Sequence, residues 1–210
     1  MSMNLVHHLW RCNREEIVAN SLANCHVPGL HSLVLLNRPT HRIRMFVATK
    51  FHQLYANTGA GPLSLGFHPH HCDITLERVA GELENLTLSE DMAGVAVTAR
   101  LSTFRFRSKI LGHDPGFEPV SGPEWYWIEP TSLDHESPTL ELRAADRHSV
   151  WVRKGGQAAW LVYEGAEDAN FQPLCYSNQD LTRFDFKNLY EPMDERWVVN
   201  TLQDEFGGKW

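Results

Sequence analysis

The chain has 210 residues, of which 42% are hydrophobic and 21% charged, with a formal net charge of −7. That is enough chain for one well-buried core, and the acidic balance argues against a general nucleic-acid binder, which needs a basic surface. No apolar run approaches a membrane span, and the N-terminus lacks the basic, apolar, small-residue order of a secretory signal, so a cytoplasmic protein with no membrane partner is expected.

In chain order, Asn13 to Asn24 reads as a short helix: Asn13 can cap it, Glu16 stands at capping-box spacing, and Ile17, Val18 and Leu22 form its apolar face. Pro28-Gly29 ends it. From Leu30 the pattern turns to strand: HSLVLL, HRIRMFVAT, LSLGFH and CDITLERVA, separated by Asn37-Arg38-Pro39 and the Asn57 to Pro62 turn. Then come GVAVTARLSTFRFRSKIL, EWYWIEP, TLELRAA, HSVWVRK and AAWLVYEG, with turn chemistry at Gly112 to Gly116, Ser121-Gly122-Pro123 and Lys154-Gly155-Gly156. Residues Asn170 to Met193 read as a long loop, lying across the barrel or serving a dimer contact. Asp194 to Phe206 reads as a helix stopped by Gly207-Gly208.

Many short strands with Gly/Pro punctuation imply a sandwich or barrel. The expected organisation is a mainly all-β protein: a helical lead-in over 1–29, a β-barrel over 30–170, and a loop and C-terminal helix packing on the barrel over 171–210.

The four cysteines are scattered, with no CxxC pair, which argues against a zinc knuckle or redox dithiol. Histidine is the unusual count, twelve in all, three of them in His68-Pro69-His70-His71. In a strand, residues two apart share a face. His68 and His70 therefore point together, with Ile74 and Leu76 on the same parity, while His71 points away with Asp73, Thr75 and Glu77. Two imidazoles on one strand are half of a metal site suited to Zn, Fe, Ni, Cu or Mn. His148, at the head of HSVWV with Val150 and Val152 on its own face, is the best third ligand.

The stretch from Gly66 to Gly81, Gly-Phe-His68-Pro-His70 running on to Glu77 and a glycine turn, resembles the first motif of the cupin superfamily. Ala145 to Val152, followed by Ala159 to Gly165, resembles its second motif. The resemblance implies a cupin-type jelly-roll β-barrel with short terminal helices. Cupins often carry a glutamate ligand seven residues before the motif glycine, but here that position is Ile74. Glu77 lies seven residues beyond His70, over ~20 Å of strand. The implied centre is thus His68, His70 and His148 alone, a ligand count similar to that of thiol dioxygenases of the superfamily.

Other candidates divide between site and structure. Asp73 could orient a histidine, or be a solvated acid. Cys72 shares the parity of His70 and could stand near the metal, or pack as a small hydrophobe. Trp127 and Trp160 could wall a substrate, or serve packing; Trp125, Tyr126 and Tyr163 pose the same choice. His113 and His135 read mainly as loop histidines. Arg105 and Arg107 read as solvent-facing opposite Phe104 and Phe106. The leading functional expectation is a metal-dependent enzyme acting on a small polar organic molecule by dioxygenase-like oxidation, Fe(II) being favoured over Zn, Ni or Mn. The alternatives are a non-redox isomerase, epimerase or lyase, and a small-molecule-binding cupin without turnover. A homodimer is expected only because single-domain cupins are often dimers.

Overall fold

The computed structural model describes residues 2–54, 66–89, 97–107, 116–166 and 171–206. The Asn57 to Pro62 turn, His113 and its turn, the ends of two expected strands and Gly207-Gly208 lie outside the described residues.

The chain begins with α1 (Ser2–Asn20), then β1 (Leu22–Ala23), β2 (Leu30–Arg38), β3 (His41–Ala48), β4 (Ile74–Ala80), β5 (Leu83–Ser89), β6 (Val97–Arg107), β7 (Gly116–Leu133), β8 (Thr139–Leu142), β9 (His148–Trp151), β10 (Ala158–Glu164), β11 (Leu174–Ser177), β12 (Glu191–Pro192) and α2 (Glu195–Phe206). Two curled antiparallel sheets result, ordered β12-β1-β2-β3-β10-β4-β8 and β11-β6-β7-β5-β9. The fold is a cupin-like β-barrel. Among the described residues, no helix is long and apolar enough to cross a membrane.

The larger sheet is buried on both faces, which explains why its strands read as nearly continuous apolar runs. On β3 and β10, Met45, Val47, Ala159 and Leu161 pack outward against Val6, Leu9, Ile17, Val198 and Leu202 of the two helices. On the other parity, Phe46, Ala48, Ala158, Trp160 and Val162 turn inward to join Ile74, Leu76 and Leu142.

Three elements depart from the sequence expectation. The N-terminal helix starts at Ser2 and ends at Asn20, with a kink at Asn13 (φ −127°, ψ 23°). The capping residue thus interrupts a longer helix, its amide donating to the Leu35 carbonyl at 3.3 Å. Ser121-Gly122-Pro123 is no turn, since β7 runs through it. The pairing with β6 shifts between Leu101 and Thr103 and again before Phe104, so extra β7 residues bulge out, and a bulge tolerates a proline that has no N–H to give. The expected loop over 170–193 holds β11, a 3-10 turn at Leu181–Arg183 and β12.

β11 and β9 are the two edges of the smaller sheet. Between them lies the pair Phe67-His68, whose successive residues face opposite neighbours. Phe67 exchanges both backbone hydrogen bonds with Tyr176 of β11 (2.9 and 2.8 Å), and His68 exchanges both with His148 of β9 (3.0 and 3.1 Å). Two residues thus connect the edges of a five-stranded sheet. Gly66 makes the approach at φ +74°, where a Cβ would run into the Tyr176 carbonyl.

Candidate metal centre

The pairing just described sets the site. His68 and His148 are directly opposed across an antiparallel bridge, so their side chains share a face. His70, two residues on, joins them. The ligand-capable nitrogens of His68, His70 and His148 all lie within 4.8 Å of one another, a spacing that can hold a metal ion. His70 Nε2 and His148 Nε2 are 2.6 Å apart, and the three ring centroids are 4.8–5.6 Å apart. His148 is buried; His68 and His70 are half-buried.

The tautomer of His148 follows from its second nitrogen. Asn85 on β5 is fully buried. Its amide donates to Thr87 Oγ1 at 2.9 Å, which turns its carbonyl oxygen toward His148 Nδ1 at 2.6 Å. Nδ1 therefore carries the proton and donates, leaving the Nε2 lone pair aimed at His70. A carbonyl behind a histidine is the arrangement that orients a ligand and raises its basicity.

Burial holds all three imidazoles neutral. It pushes His148 down to about 3, with the neighbouring His68 adding to the effect. His68 is lowered by burial, and His70 is lowered by burial and by the charges of His68, His148, His71 and Arg44. Neutral nitrogen donors are what a borderline cation needs, so the residues present fit a divalent ion.

These shifts carry a pH consequence. A histidine whose folded pKa lies below its unfolded value contributes stability above pH ~6.5 that is lost as pH falls toward the folded value. For His148 and for His26, which burial also holds at about 3, that window runs from about 6.5 to about 3. Metal-free protein is expected to lose stability steeply below pH ~6.5, each such group adding up to ~1.4 kcal/mol per pH unit. Urea titrations at pH 7 and 5 check this; equal midpoints would contradict it.

The remaining sequence candidates fall in varied places. The Asp73 carboxylate accepts the Ala144 N–H at 2.7 Å, while the Ala144 carbonyl accepts the His70 N–H at 3.0 Å. Asp73 thus clamps the turn before β9 to the segment bearing His70. Cys72 Sγ accepts the Gly165 N–H at 3.2 Å, and burial raises its thiol pKa. Trp160 is buried, stacked on Phe46 with centroids 5.6 Å apart, and lines a cavity shared with the three histidines. Trp127 is half-exposed on β7, paired with Thr98 and Ser89 away from that cavity. Trp125 is exposed and Tyr126 buried. Glu77 accepts the Tyr163 hydroxyl at 2.6 Å. His135 is exposed, as are Arg105 and Arg107. His71 borders the cavity against Phe171.

The cavity, of about 240 Å³, also holds residues that the sequence reading passed over. His26 lies 6.1 Å ring to ring from His68, and its Nδ1 is 2.9 Å from the Tyr190 hydroxyl. Among the described residues, the positive-φ positions other than glycine are Asn24, His26, Asn188 and Tyr190. They meet at one junction, where Asn24 donates to the Asn188 carbonyl and accepts from the Tyr190 N–H. Non-glycine residues held in this region are strained, and such strain concentrates at functional sites. No local sequence motif announced it, because the two segments are 164 residues apart.

No family model matches the chain, and no curated protein matches it. Among solved structures, it is similar to a mannose-6-phosphate isomerase candidate from Ralstonia eutropha JMP134 (14% identity, TM-score 0.35, covering 69% of this chain and 91% of that one). It is also similar to hydroquinone 1,2-dioxygenase from Sphingomonas sp. TTNP3 with 4-hydroxybenzoate bound (12%, 0.34, 66% of each chain). A third similar structure is hydroxypropylphosphonic acid epoxidase from S. wedmorenis (13%, 0.33, 69% of this chain and 55% of that one). None of these values speaks for a shared reaction.

Proposed function

We propose that this protein is a metal-dependent enzyme acting on a small polar organic molecule, with His68, His70 and His148 as the ligands of one divalent ion and dioxygenase-like oxidation as its reaction. The supporting observation is the convergence of three neutral imidazoles on one side of a cavity. Three protein ligands leave further coordination positions for small molecules. When bound, a ferrous ion would supply the redox chemistry that dioxygen needs.

The protein's own residues have distinct tasks in this reading. Asn85 keeps the His148 proton on Nδ1 and its lone pair on Nε2. The Asp73–Ala144 clamp holds the His70 segment against the turn before β9. Phe46, Leu76, Trp160 and Val162 give the cavity an apolar wall that keeps water from a bound molecule.

Anaerobic reconstitution with Fe(II), followed by metal analysis and oxygen-electrode measurements over a panel of small organic acids and phenols, tests the proposal. Binding of about one iron per chain together with substrate-dependent oxygen uptake is expected. Protein that stays metal-free after reconstitution would overturn the metal centre. Stable zinc retention with no oxygen uptake would overturn the oxidation.

A further inference from the structure

His26 borders the cavity without belonging to the three-nitrogen cluster. It lies in the turn between β1 and β2, its ring 6.1 Å from that of His68. Its Nδ1 is 2.9 Å from the Tyr190 hydroxyl, and the two rings meet edge-on at 5.7 Å. Tyr190 stands just before β12 and does not border the cavity, so the imidazole reaches from the hydroxyl to the cavity wall.

The proton between the two side chains can be placed. A hydroxyl has one proton to give and lone pairs with which to receive. The His26 main-chain N–H acts on the Tyr190 oxygen, which takes that interaction as an acceptor. Were the oxygen to accept from Nδ1 as well, the phenol proton would be stranded, because Nδ1 is the one side-chain hydrogen-bond partner of Tyr190 among the described residues. Tyr190 therefore donates to Nδ1, and the ring carries its own proton on Nε2. An imidazolium would carry an Nε2 proton too, so this donor does not depend on the charge of the ring. It has no hydrogen-bond partner among the described residues.

The backbone holds the donor in a conformation that L-residues avoid. His26 (φ 70°) and Tyr190 (φ 56°) are both left-handed, as are Asn24 and Asn188. Asn24 ties the two segments together: its side-chain amide donates to the Asn188 carbonyl at 3.2 Å, its side-chain oxygen accepts the Gly29 N–H at 2.9 Å, and its main-chain carbonyl accepts the Tyr190 N–H at 3.2 Å. Glycine at position 26 or 190 would relieve the strain; the frame keeps an imidazole and a phenol instead. Val27, Leu54, Phe46 and Trp160 wall the same space with apolar groups. The cavity, about 240 Å³, exceeds the ~150 Å³ that encloses benzene, so one ring with a short substituent fits. A single N–H beside such a wall suits an uncharged oxygen acceptor on an apolar body.

We infer that His26 Nε2–H donates a hydrogen bond to a neutral oxygen of the molecule bound in the cavity, with Tyr190 as the positioning residue that fixes its tautomer and direction. That the oxygen then lies beside a metal rests on the proposed centre; the hydrogen bond itself does not. Acetophenone and α-methylstyrene share one skeleton, a methylene in the second replacing the carbonyl oxygen of the first. Their binding to metal-free protein is measured by isothermal titration calorimetry. A carbonyl costs more to strip of water than a methylene, so the readout is the ketone-to-alkene affinity ratio of each variant relative to wild type.

His26→Asn keeps a residue that tolerates the left-handed backbone and withdraws the donor. The ratio should fall about ten-fold, the worth of one hydrogen bond, through the ketone alone. Tyr190→Phe keeps the ring and loses the hydroxyl, and should lower the ratio about three-fold. Nitrogen NMR of the wild-type His26 ring, assigned through its contacts with the Tyr190 ring, should show the proton on Nε2, and acetophenone should shift that resonance; this arm needs neither variant to fold. An unchanged ratio in His26→Asn, no binding of the ketone at millimolar concentration, or a proton on Nδ1 would each overturn the inference. A Tyr190→Phe protein with lowered thermal stability and an unchanged ratio would mean that the hydroxyl only fastens the segment before β12, and would overturn the positioning role. Metal loading is measured separately by elemental analysis, so failure of the metal centre and failure of the His26 contact are told apart.

Discussion

Replacing His148 with alanine is expected to lower the metal content of reconstituted protein from about one ion per chain to less than about a tenth, because two imidazoles are a poor site for a divalent ion where three converge. The substitution should leave the barrel closed. The contact of His148 with His68 is made through main-chain N–H and C=O groups, which alanine retains. It does leave the Asn85 carbonyl, buried behind the ring, without its donor, at a cost of ~1–3 kcal/mol. His71→Ala provides the control. His71 is next in sequence to His70 and borders the same cavity, but it stands outside the three-nitrogen cluster, so its loss should leave metal content unchanged. Elemental analysis of both variants after reconstitution with iron and with zinc decides the matter. Unchanged content in His148→Ala would remove that residue from the site, and loss in His71→Ala would mean the ligand set is wrongly drawn.

Strand parity separated His70 from His71 only in part: it groups His68 with His70, but residues 69–73 are not strand, and His71, expected to point away, borders the same cavity while standing outside the three-nitrogen cluster. The same rule placed Val150 beside His148 at the cavity and set Glu77 on the opposite face of β4, where it meets Tyr163. Parity is only a partial guide where the strand stops: Phe67-His68 is a two-residue bridge, and Cys72, expected on the face of His70, meets the Gly165 N–H instead.

What escaped the sequence depends on partners far away in the chain. Asn85 sits in LENLTLS, where leucines at 83, 86 and 88 break the alternation and hide which face is buried. Only its pairing with β9 shows that Asn85 turns toward His148. Arg44 shares a face with Phe46, but both parities of β3 are apolar enough to be buried, so nothing local said which face lines the cavity. The Ser121-Gly122-Pro123 turn failed for a related reason. Its residues suit a turn and a bulge equally, and the long strand opposite decided for the bulge. The helix at the N-terminus reached back past Asn13 because Val6 and Leu9 find the outer face of the larger sheet to pack against, a gain that outweighs the cost of the kink.

Asn85→Leu is expected to weaken metal binding by about 10- to 100-fold, the usual consequence of losing the group that orients a metal-bound histidine, with the three ligands themselves intact. Leucine has the branching and the side-chain heavy-atom count of asparagine, so the space between β5 and β9 stays filled. The change removes the carbonyl that accepts the Nδ1 proton. With no acceptor behind it, the imidazole has no reason to keep its proton on Nδ1. The tautomer with the proton on Nε2 becomes available, and that form has no lone pair to offer beside His70 Nε2. Asn85→Asp separates this account from a packing effect. A carboxylate accepts the same proton and adds a negative charge behind the ligand, so affinity at pH 7 should match or exceed wild type. Competition titrations with a chromophoric zinc chelator give the three dissociation constants. If Asn85→Leu binds zinc as tightly as wild type, the hydrogen bond does not set the tautomer. If Asn85→Asp weakens binding as much as Asn85→Leu, Asn85 acts through packing between the strands instead of through the proton it holds on His148.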